Sequence, residues 1–471
     1  MDSYGWLSIL PPLFAIFLAI KTKHVYISLT LGIWLGWTII HGWNPFLGIV
    51  RTVDICVSVF KDADNTRVIL FSSMIGAIIT FTQFSGGMKG FVNWIVNKGL
   101  VNTRKSAGLL AWILGLIIFI ESSICVLVSG AVSRPVFDKL RVSREKLAYI
   151  LDSTSAPKCI IIPLNAWGAF VLALLASQGI EEPVKLFASS IPFNFYAFAA
   201  IFLVLIVIIT GKDIGPMKEA EIRVREDGKL IRDGAEPLIS DDVVMMKEKQ
   251  GVPPRAVNMI LPVAVMVLMM PVVLFITGRG NIMNGSGSLS VLWAVICGAG
   301  TAAVAYRIQK IMTVKEITDV FMKGVGGLVP LASLMILAFA IGDTCEALGT
   351  GPFVAQAAKS TLNPGIIPAV LFIISCFIAF STGTSWGTFA IMIPIAVPMI
   401  HLIGLHPGLI IASVLGGGVF GDHCSPISDT TIISSMASAT DHIDHVRTQI
   451  PYALAAGAFA IVLFLLFGFI L

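Results

Sequence analysis

The chain has 471 residues, of which 56% are hydrophobic and only 13% charged. That balance excludes a soluble globular domain and a nucleic-acid-binding module, and it describes a polytopic membrane protein. The net charge of +4 says little because the charges fall between the apolar runs, and the seven Cys (56, 125, 159, 297, 345, 376 and 424) show no CxxC and no metal-ligand spacing, so no disulfide framework is read.

Apolar runs fall at 5–20, 25–41, 46–60, 68–84, 107–129, 147–178, 186–210, 256–277, 288–306, 328–344, 364–400, 408–440 and 450–471. Several are short or long for a span of about 20 residues. Lys21 and Lys23 follow the first run instead of preceding it, the reverse of a cleaved signal peptide, so a retained helix is expected. The same lysines place the N-terminus outside. Arg51 and Asp54 interrupt the run 46–60, which reads as interfacial or tilted. Both flanks of 107–129 are basic, with Lys89, Lys98, Arg104 and Lys105 before it and Arg134, Lys139, Arg141, Arg144 and Lys146 after. A single span would put one flank outside, so the run predicts a re-entrant hairpin with its tip at Glu121-Ser122-Ser123. The stretch 211–255 mixes acids and bases and reads as a solvated cytoplasmic linker. Lys315 and Lys323 fall on the same side. Asp343 and Glu346 belong to an external vestibule or are merely interfacial. The run 364–400 has almost no flanking charge and reads as a second hairpin, entering from outside.

This order repeats. Residues 69–91 resemble 329–353, and Asp152-Ser153-Thr154-Ser155-Ala156-Pro157 corresponds to Asp422-His423-Cys424-Ser425-Pro426. The predicted fold class is an all-α polytopic membrane protein built of two inverted repeats, 1–210 and 256–471, joined by the linker 211–255. Each repeat holds five transmembrane helices, one of them broken, plus a re-entrant hairpin. That is the plan of secondary transporters, with the site at the repeat interface near mid-membrane.

The most informative stretch is 416–431, where four glycines, Asp422, His423, Ser425, Pro426, Ser428 and Asp429 interrupt apolar sequence. Polar groups in hydrocarbon persist only where the protein satisfies them. Glycine and proline here are expected to loosen the helix and free carbonyls, and carbonyls, hydroxyls and carboxylates suit a hard cation. The candidate ion-binding residues are Glu121, Ser122, Ser123, Asp152, Ser153 and Thr154 from the first half, with Asn165 nearby. From the second half come Thr382, Thr384, Ser385, Asp422, His423, Ser425, Ser428 and Asp429. His423 reads either as a hydrogen-bonding spacer or as a group titrating near neutral pH.

The stretch Gly421-Asp422-His423-Cys424-Ser425-Pro426-Ile427-Ser428-Asp429-Thr430-Thr431 resembles the signature of the NhaC family of sodium/proton antiporters, within the broader ion transporter superfamily. Ser381-Thr382-Gly383-Thr384-Ser385-Trp386-Gly387 is similar to that family's second motif, and Ser8-Ile9-Leu10-Pro11-Pro12 and Leu348-Gly349-Thr350 are similar too. The resemblance implies a multi-pass inner-membrane antiporter exchanging sodium for protons, with no cofactor beyond those transported ions. The implied partners are the lipid bilayer, sodium and protons, with a homodimer as the candidate assembly and no nucleic acid. Related members exchange organic acids such as malate and lactate, so a sodium- or proton-coupled carrier of a small organic acid or amino acid is the alternative. No Arg lies in the predicted core to bind a carboxylate substrate, though helix N-termini serve an anion as well. No HExxH, GxSxG or P-loop sits at a membrane boundary, which argues against an enzyme.

Overall fold

In hydrocarbon the backbone must satisfy its own hydrogen bonds, and helices do so within one segment. The computed structural model describes residues 4–22, 24–96, 102–118, 122–163, 165–237, 249–282, 285–350, 352–353, 356–357, 363–426 and 428–471, and these form helices with no strand among them beyond one isolated bridge. The first half opens with α1 (Leu10–Thr22), α2 (Val25–Ile40), α3 (Pro45–Ser58), α4 (Ala63–Phe84) and α5 (Gly87–Val96). Helices α6 (Arg104–Ile117) and α7 (Ser122–Lys139) pack together as a hairpin. A broken helix follows, α8 (Arg144–Cys159) and α9 (Ala166–Ser177), then α10 (Pro183–Ser190) and α11 (Phe195–Thr210). Helix α12 (Gly215–Glu226) lies in the linker. The second half holds α13 (Val257–Thr277), α14 (Gly287–Ile308), α15 (Val314–Gly327) and α16 (Val329–Leu348). A hairpin, α17 (Ile367–Thr382) and α18 (Ser385–Ile403), leads to a broken helix, α19 (Pro407–Cys424) and α20 (Asp429–Ser438), and to α21 (His442–Ile470). Six of the described helices are long and apolar enough to cross a membrane, and a seventh span results if α15 and α16 count as one bent crossing.

The interruptions have local causes. Asn44 caps α3 ahead of Pro45 at its first turn, and the helix leaves Phe46, Val53 and Val57 exposed together with Arg51 and Asp54. Gly383 ends α17 in the left-handed conformation at φ 67° and Thr384 caps α18, which makes the tight tip of the second hairpin. Of the tip expected for the first, Glu121 lies outside the described residues, and Ser122 and Ser123 begin α7.

Four expectations need correction. The first broken helix does not part at Asp152–Pro157, because α8 runs on to Cys159 and the gap is 160–165. Thr154 and Ser155 bond back to the carbonyls of Ile150 at 2.6 Å and Asp152 at 3.1 Å, so the hydroxyls are satisfied inside an intact helix. The glycines 416–418 do not loosen α19 either, since the helix is continuous to Cys424. The run 186–210 is not one span; it parts at a 3₁₀ turn, Ile191–Phe193, before α11. Residues 314–327, read only as basic flank, form an amphipathic helix with a Thr313–Glu316 capping box.

The linker is also less solvated than its composition suggests. Lys146 at the start of α8 pairs with Asp213 at 2.9 Å, and Glu145 takes Arg223 of α12 at 2.8 Å. Buried Glu221 accepts Arg104 and the Ser143 amide. Arg232 reaches Asp444 of α21 at 3.0 Å, and Asp441 accepts the Glu236 amide at 2.9 Å. The linker thus clamps α6, α8 and α21 at one end. Burial pushes the Asp441 carboxyl up, but the amides of Glu236, Asp444 and Ile443 outweigh it and hold it below the usual carboxylate range. A lowered folded-state value stabilises docking above the unfolded value and loses that contribution as pH falls through the folded one. Limited proteolysis should therefore find 227–237 more accessible under acid than at neutral pH. Removing one partner of a buried pair leaves an uncompensated charge, so Glu145→Ala should cost about 3–5 kcal/mol in detergent melts. Arg232→Ala, which takes a half-exposed cation from the buried Asp444 carboxylate, should lower the melting midpoint by less than Glu145→Ala does.

Candidate functional site

Two helices are enclosed by the others. Every residue of α8 from Glu145 to Cys159 is buried, and so is α19 from Gly408 to Val419. Helix α19 reaches that position because it lacks side chains where α17 crosses it. A Cβ on Gly417 would meet the Phe372 carbonyl and come within 2.7 Å of Ser375 Cβ, and one on Gly421 would strike the Cys376 carbonyl. Close contact with α17 carries the start of α18 to the end of α19.

Asp152 is fully buried midway along α8. Its Oδ2 accepts Gln449 Nε2 of α21 at 2.7 Å and Thr431 Oγ1 of α20 at 3.2 Å. Two imidazoles flank it, His423 Nε2 at 3.9 Å and His445 Nε2 at 4.0 Å. His423 is fixed by Ser153 Oγ at 3.0 Å on Nε2 and by Tyr196 Oη of α11 at 2.6 Å on Nδ1. The second Gln449 amide hydrogen goes to the His423 carbonyl at 2.6 Å. Both acceptors lie on the NH2 side, which fixes the amide orientation, so Gln449 Oε1 accepts from His445 Nε2 at 2.8 Å.

Asp422 is equally buried, in the last turn of α19. Its Oδ2 accepts Ser385 Oγ at 2.7 Å and the Ser385 amide at 3.3 Å, which places a carboxylate on the N-terminal turn of α18. Ser385 Oγ also lies 3.2 Å from the Gly418 carbonyl. Thr431 Oγ1, which donates to Asp152, is 3.5 Å from the Asp422 carbonyl and so stands between the two acidic positions. At the break, Ser425 donates to the Phe380 carbonyl at 2.7 Å and Ser428 caps α20.

The other candidates divide. Ser153, Asp152, His423, Asp422, Ser385, Ser425 and Ser428 converge on this region, as described. Thr382 bonds its own helix at Ile378 O, 2.9 Å away, and Thr384 caps α18, so both shape the hairpin tip. Thr154 faces Gly115 of α6, a packing contact. Ser122 is buried at the start of α7. Glu121 and the side chains of Ser123 and Asp429 lie outside the described residues. Asn165 caps α9 and donates to the Cys159 carbonyl at 3.2 Å, bridging the first break. Sequence reading missed Gln449, His445, Thr431, Tyr196 and the buried Lys158. Gln449 and His445 carried a signal, since His442, His445 and Gln449 recur at helical spacing ahead of the run 450–471. Among the described residues no three His, Cys, Asp or Glu side chains group to hold a metal ion, so a cation here would rely on hydroxyls and carbonyls beside a carboxylate.

With this arrangement in view, a family profile described as the Na+/H+ antiporter family matches residues 159–469. An uncharacterised protein of Haemophilus influenzae is 32% identical over 98% of this chain and 91% of its own length. A malate-2H+/Na+-lactate antiporter of Bacillus subtilis is 26% identical over 33% of this chain and 33% of its own. Among solved structures, the YdaH transporter of Alcanivorax borkumensis matches with a TM-score of 0.54 at 13% identity, covering 89% of this chain and 88% of that one, a likeness of fold.

The seam between α17 and α19 responds differently at two neighbouring glycines. A Cβ on Gly416 would find its nearest neighbours at 3.6 Å, ordinary contact, whereas Gly417 has no room. Thermal melts should show Gly416→Ala unchanged or slightly stabilised and Gly417→Ala destabilised by about 1–3 kcal/mol. Equal effects would mean that α17 and α19 do not meet here.

Proposed function

The chain belongs to the Na+/H+ antiporter family, and from that premise we propose that it exchanges sodium for protons across the plasma membrane by alternating access. It is a multi-pass membrane transporter and not an enzyme. The observation that carries the ionic reading is Asp422, a buried carboxylate held between two helix ends. The carbonyl end of α19, the Ser385 hydroxyl and that carboxylate make a donor set suited to a hard cation. Asp152, with its hydrogen-bond donors and two imidazoles close by, is the better placed proton carrier. Occupancy of one position alters the other through Thr431 and the His423 backbone, and this couples the two ions.

Alternating access follows from an inverted arrangement of the halves, which the element order supports. Each half runs through a short charge-bearing helix (α3 or α15), a hairpin, a broken helix and a final helix. The second arms of the broken helices also cross over. Helix α9 meets α18 through Trp167 and Trp386, 5.1 Å apart, while α20 packs on α7 and α8. Each broken helix therefore leans on the other half, where a rocking motion changes its surroundings.

A second reading has its own observation. Lys158 is a fully buried amine at the end of α8, donating to the Gly115 carbonyl and to Cys125 Sγ at 2.8 Å. A cation in the core gives an organic carboxylate something to bind, and the Bacillus subtilis relative is named for malate and lactate. Counterflow of labelled malate, lactate and sodium in proteoliposomes separates the readings.

For the ionic reading, Asp422→Asn should lower sodium-driven proton movement at least about tenfold, a loss of 1.4 kcal/mol or more, while the protein still inserts. Asp152→Asn should flatten the pH dependence of sodium affinity. Wild-type exchange in Asp422→Asn would remove that residue from the ion path, and an unaltered pH dependence in Asp152→Asn would assign the proton elsewhere.

A further inference from the structure

Beyond Asp152 the hydrogen bonds continue toward the linker face of the protein. Ser435 of α20 has its hydroxyl between two rings of α21, 2.8 Å from His445 Nδ1 and 3.0 Å from His442 Nδ1. It is also 2.9 Å from the Thr431 carbonyl. The far nitrogen of each ring is committed. His445 Nε2 faces Gln449 Oε1 at 2.8 Å, and His442 Nε2 faces the Pro426 carbonyl at 2.6 Å, so each must carry a hydrogen. Neutral rings would then present two bare Nδ1 lone pairs and a carbonyl to a hydroxyl that owns a single proton. One Nδ1 would face an oxygen lone pair. A single additional proton on either ring removes that conflict, because Ser435 can accept from one Nδ1–H while donating to the other Nδ1.

We propose that His442, Ser435 and His445 form a proton relay between the linker-side surface and Asp152. The inference rests on the sodium-for-proton reading and adds the residues that deliver the proton. His442 is partly exposed beside Asp441, where the linker docks, whereas Ser435 and His445 are fully buried. A proton taken up at His442 Nδ1 passes to Ser435 Oγ while the Ser435 proton moves to His445 Nδ1. His445 then swings its Nε2 off Gln449 Oε1, closes the 4.0 Å gap to Asp152 Oδ2, releases the Nε2 hydrogen to that carboxylate and is left neutral with its proton on Nδ1. Rotation of the Ser435 hydroxyl resets the serine, and His445 resets by a tautomer exchange in which its Nδ1 proton is lost to water admitted as the site opens and a proton from that water is regained on Nε2. The charged or titratable groups around the rings are Asp441, Asp444 and Arg447 on α21, Asp152 and Arg144 on α8, and His423 on α19. Arg232 of the linker pairs with Asp444, and Arg144 donates to the Ala439 carbonyl at 3.1 Å, so neither cation points its charge into the relay.

Proteoliposomes that measure sodium-for-sodium and sodium-for-proton exchange side by side test this. His442→Gln and Ser435→Ala should keep the first near wild type and lower the second at least about tenfold. Ser435→Thr, which retains the hydroxyl, should restore it. Equal loss of both exchanges, or wild-type proton movement in Ser435→Ala, overturns the relay. Nitrogen-15 NMR of the histidines in detergent decides independently of transport: in Ser435→Ala the His445 titration should separate from that of His442, and an unshifted His445 titration overturns the proposal. Absence of any sodium-for-proton exchange in the wild-type protein would defeat the functional reading, while the NMR result would still decide the relay.

Discussion

The structure depends on where a carboxylate can be kept inside a membrane protein. Asp152 has no exposed surface and lies midway along a helix whose neighbours are themselves buried. Burying such a group without partners is prohibitive, so donors must be brought to it. They come from α20 through Thr431 and from α21 through Gln449, while the second amide hydrogen of Gln449 secures the end of α19. One carboxylate thereby fixes the relation of α8 to three helices of the other half. Aromatic contacts and glycine crossings fill the space, but they do not select this arrangement as the hydrogen bonds do.

Asp422 is positioned by a different means. Its serine partner sits at the beginning of α18, and α18 is held by the tip after α17. The distance from α17 to α19 therefore sets the distance from Ser385 to Asp422. Missing side chains at Gly417 and Gly421 make that distance short. What looked like a flexible glycine cluster is a close-packed seam, and α17, α18 and α19 are joined along it.

The sequence carried most of the element order. The runs, the hairpin tip at 381–388 and the break after Cys424 were legible because each is marked by residues with local consequences: glycine in a left-handed turn, a capping threonine, proline beside serine. The first break was misplaced because its own residues, Ile160-Ile161-Ile162-Pro163, are apolar, while the polar Asp152–Ser155 stretch keeps helical geometry by bonding to its own turns. In the candidate site, Asp152 with Ser153 and Asp422 with His423 were found as polar groups in apolar sequence. Gln449 and His445 were not, because the last run was started where the charges stop. Helical spacing in 442–449 was the better guide. The linker misled for a related reason: mixed charge describes solvated chain and ion-paired chain equally well, and only the positions of Glu145, Lys146 and Asp444 distinguish them.

Chain order gives these contacts a history during synthesis. The charges at the start of α8 find their partners at Asp213 and Arg223, so the ribosome supplies that clamp within the next eighty residues or so. Asp152 in the same helix must wait for Thr431 and Gln449, sequence separations of 279 and 297 residues. The first half therefore enters the bilayer with its ionic end closed and its central carboxylate still without its lasting donors. Until α20 and α21 arrive, water or a bound proton has to stand in for them. The half-built protein thus carries a polar defect at its centre, and the last helix of the chain is the one that seals it.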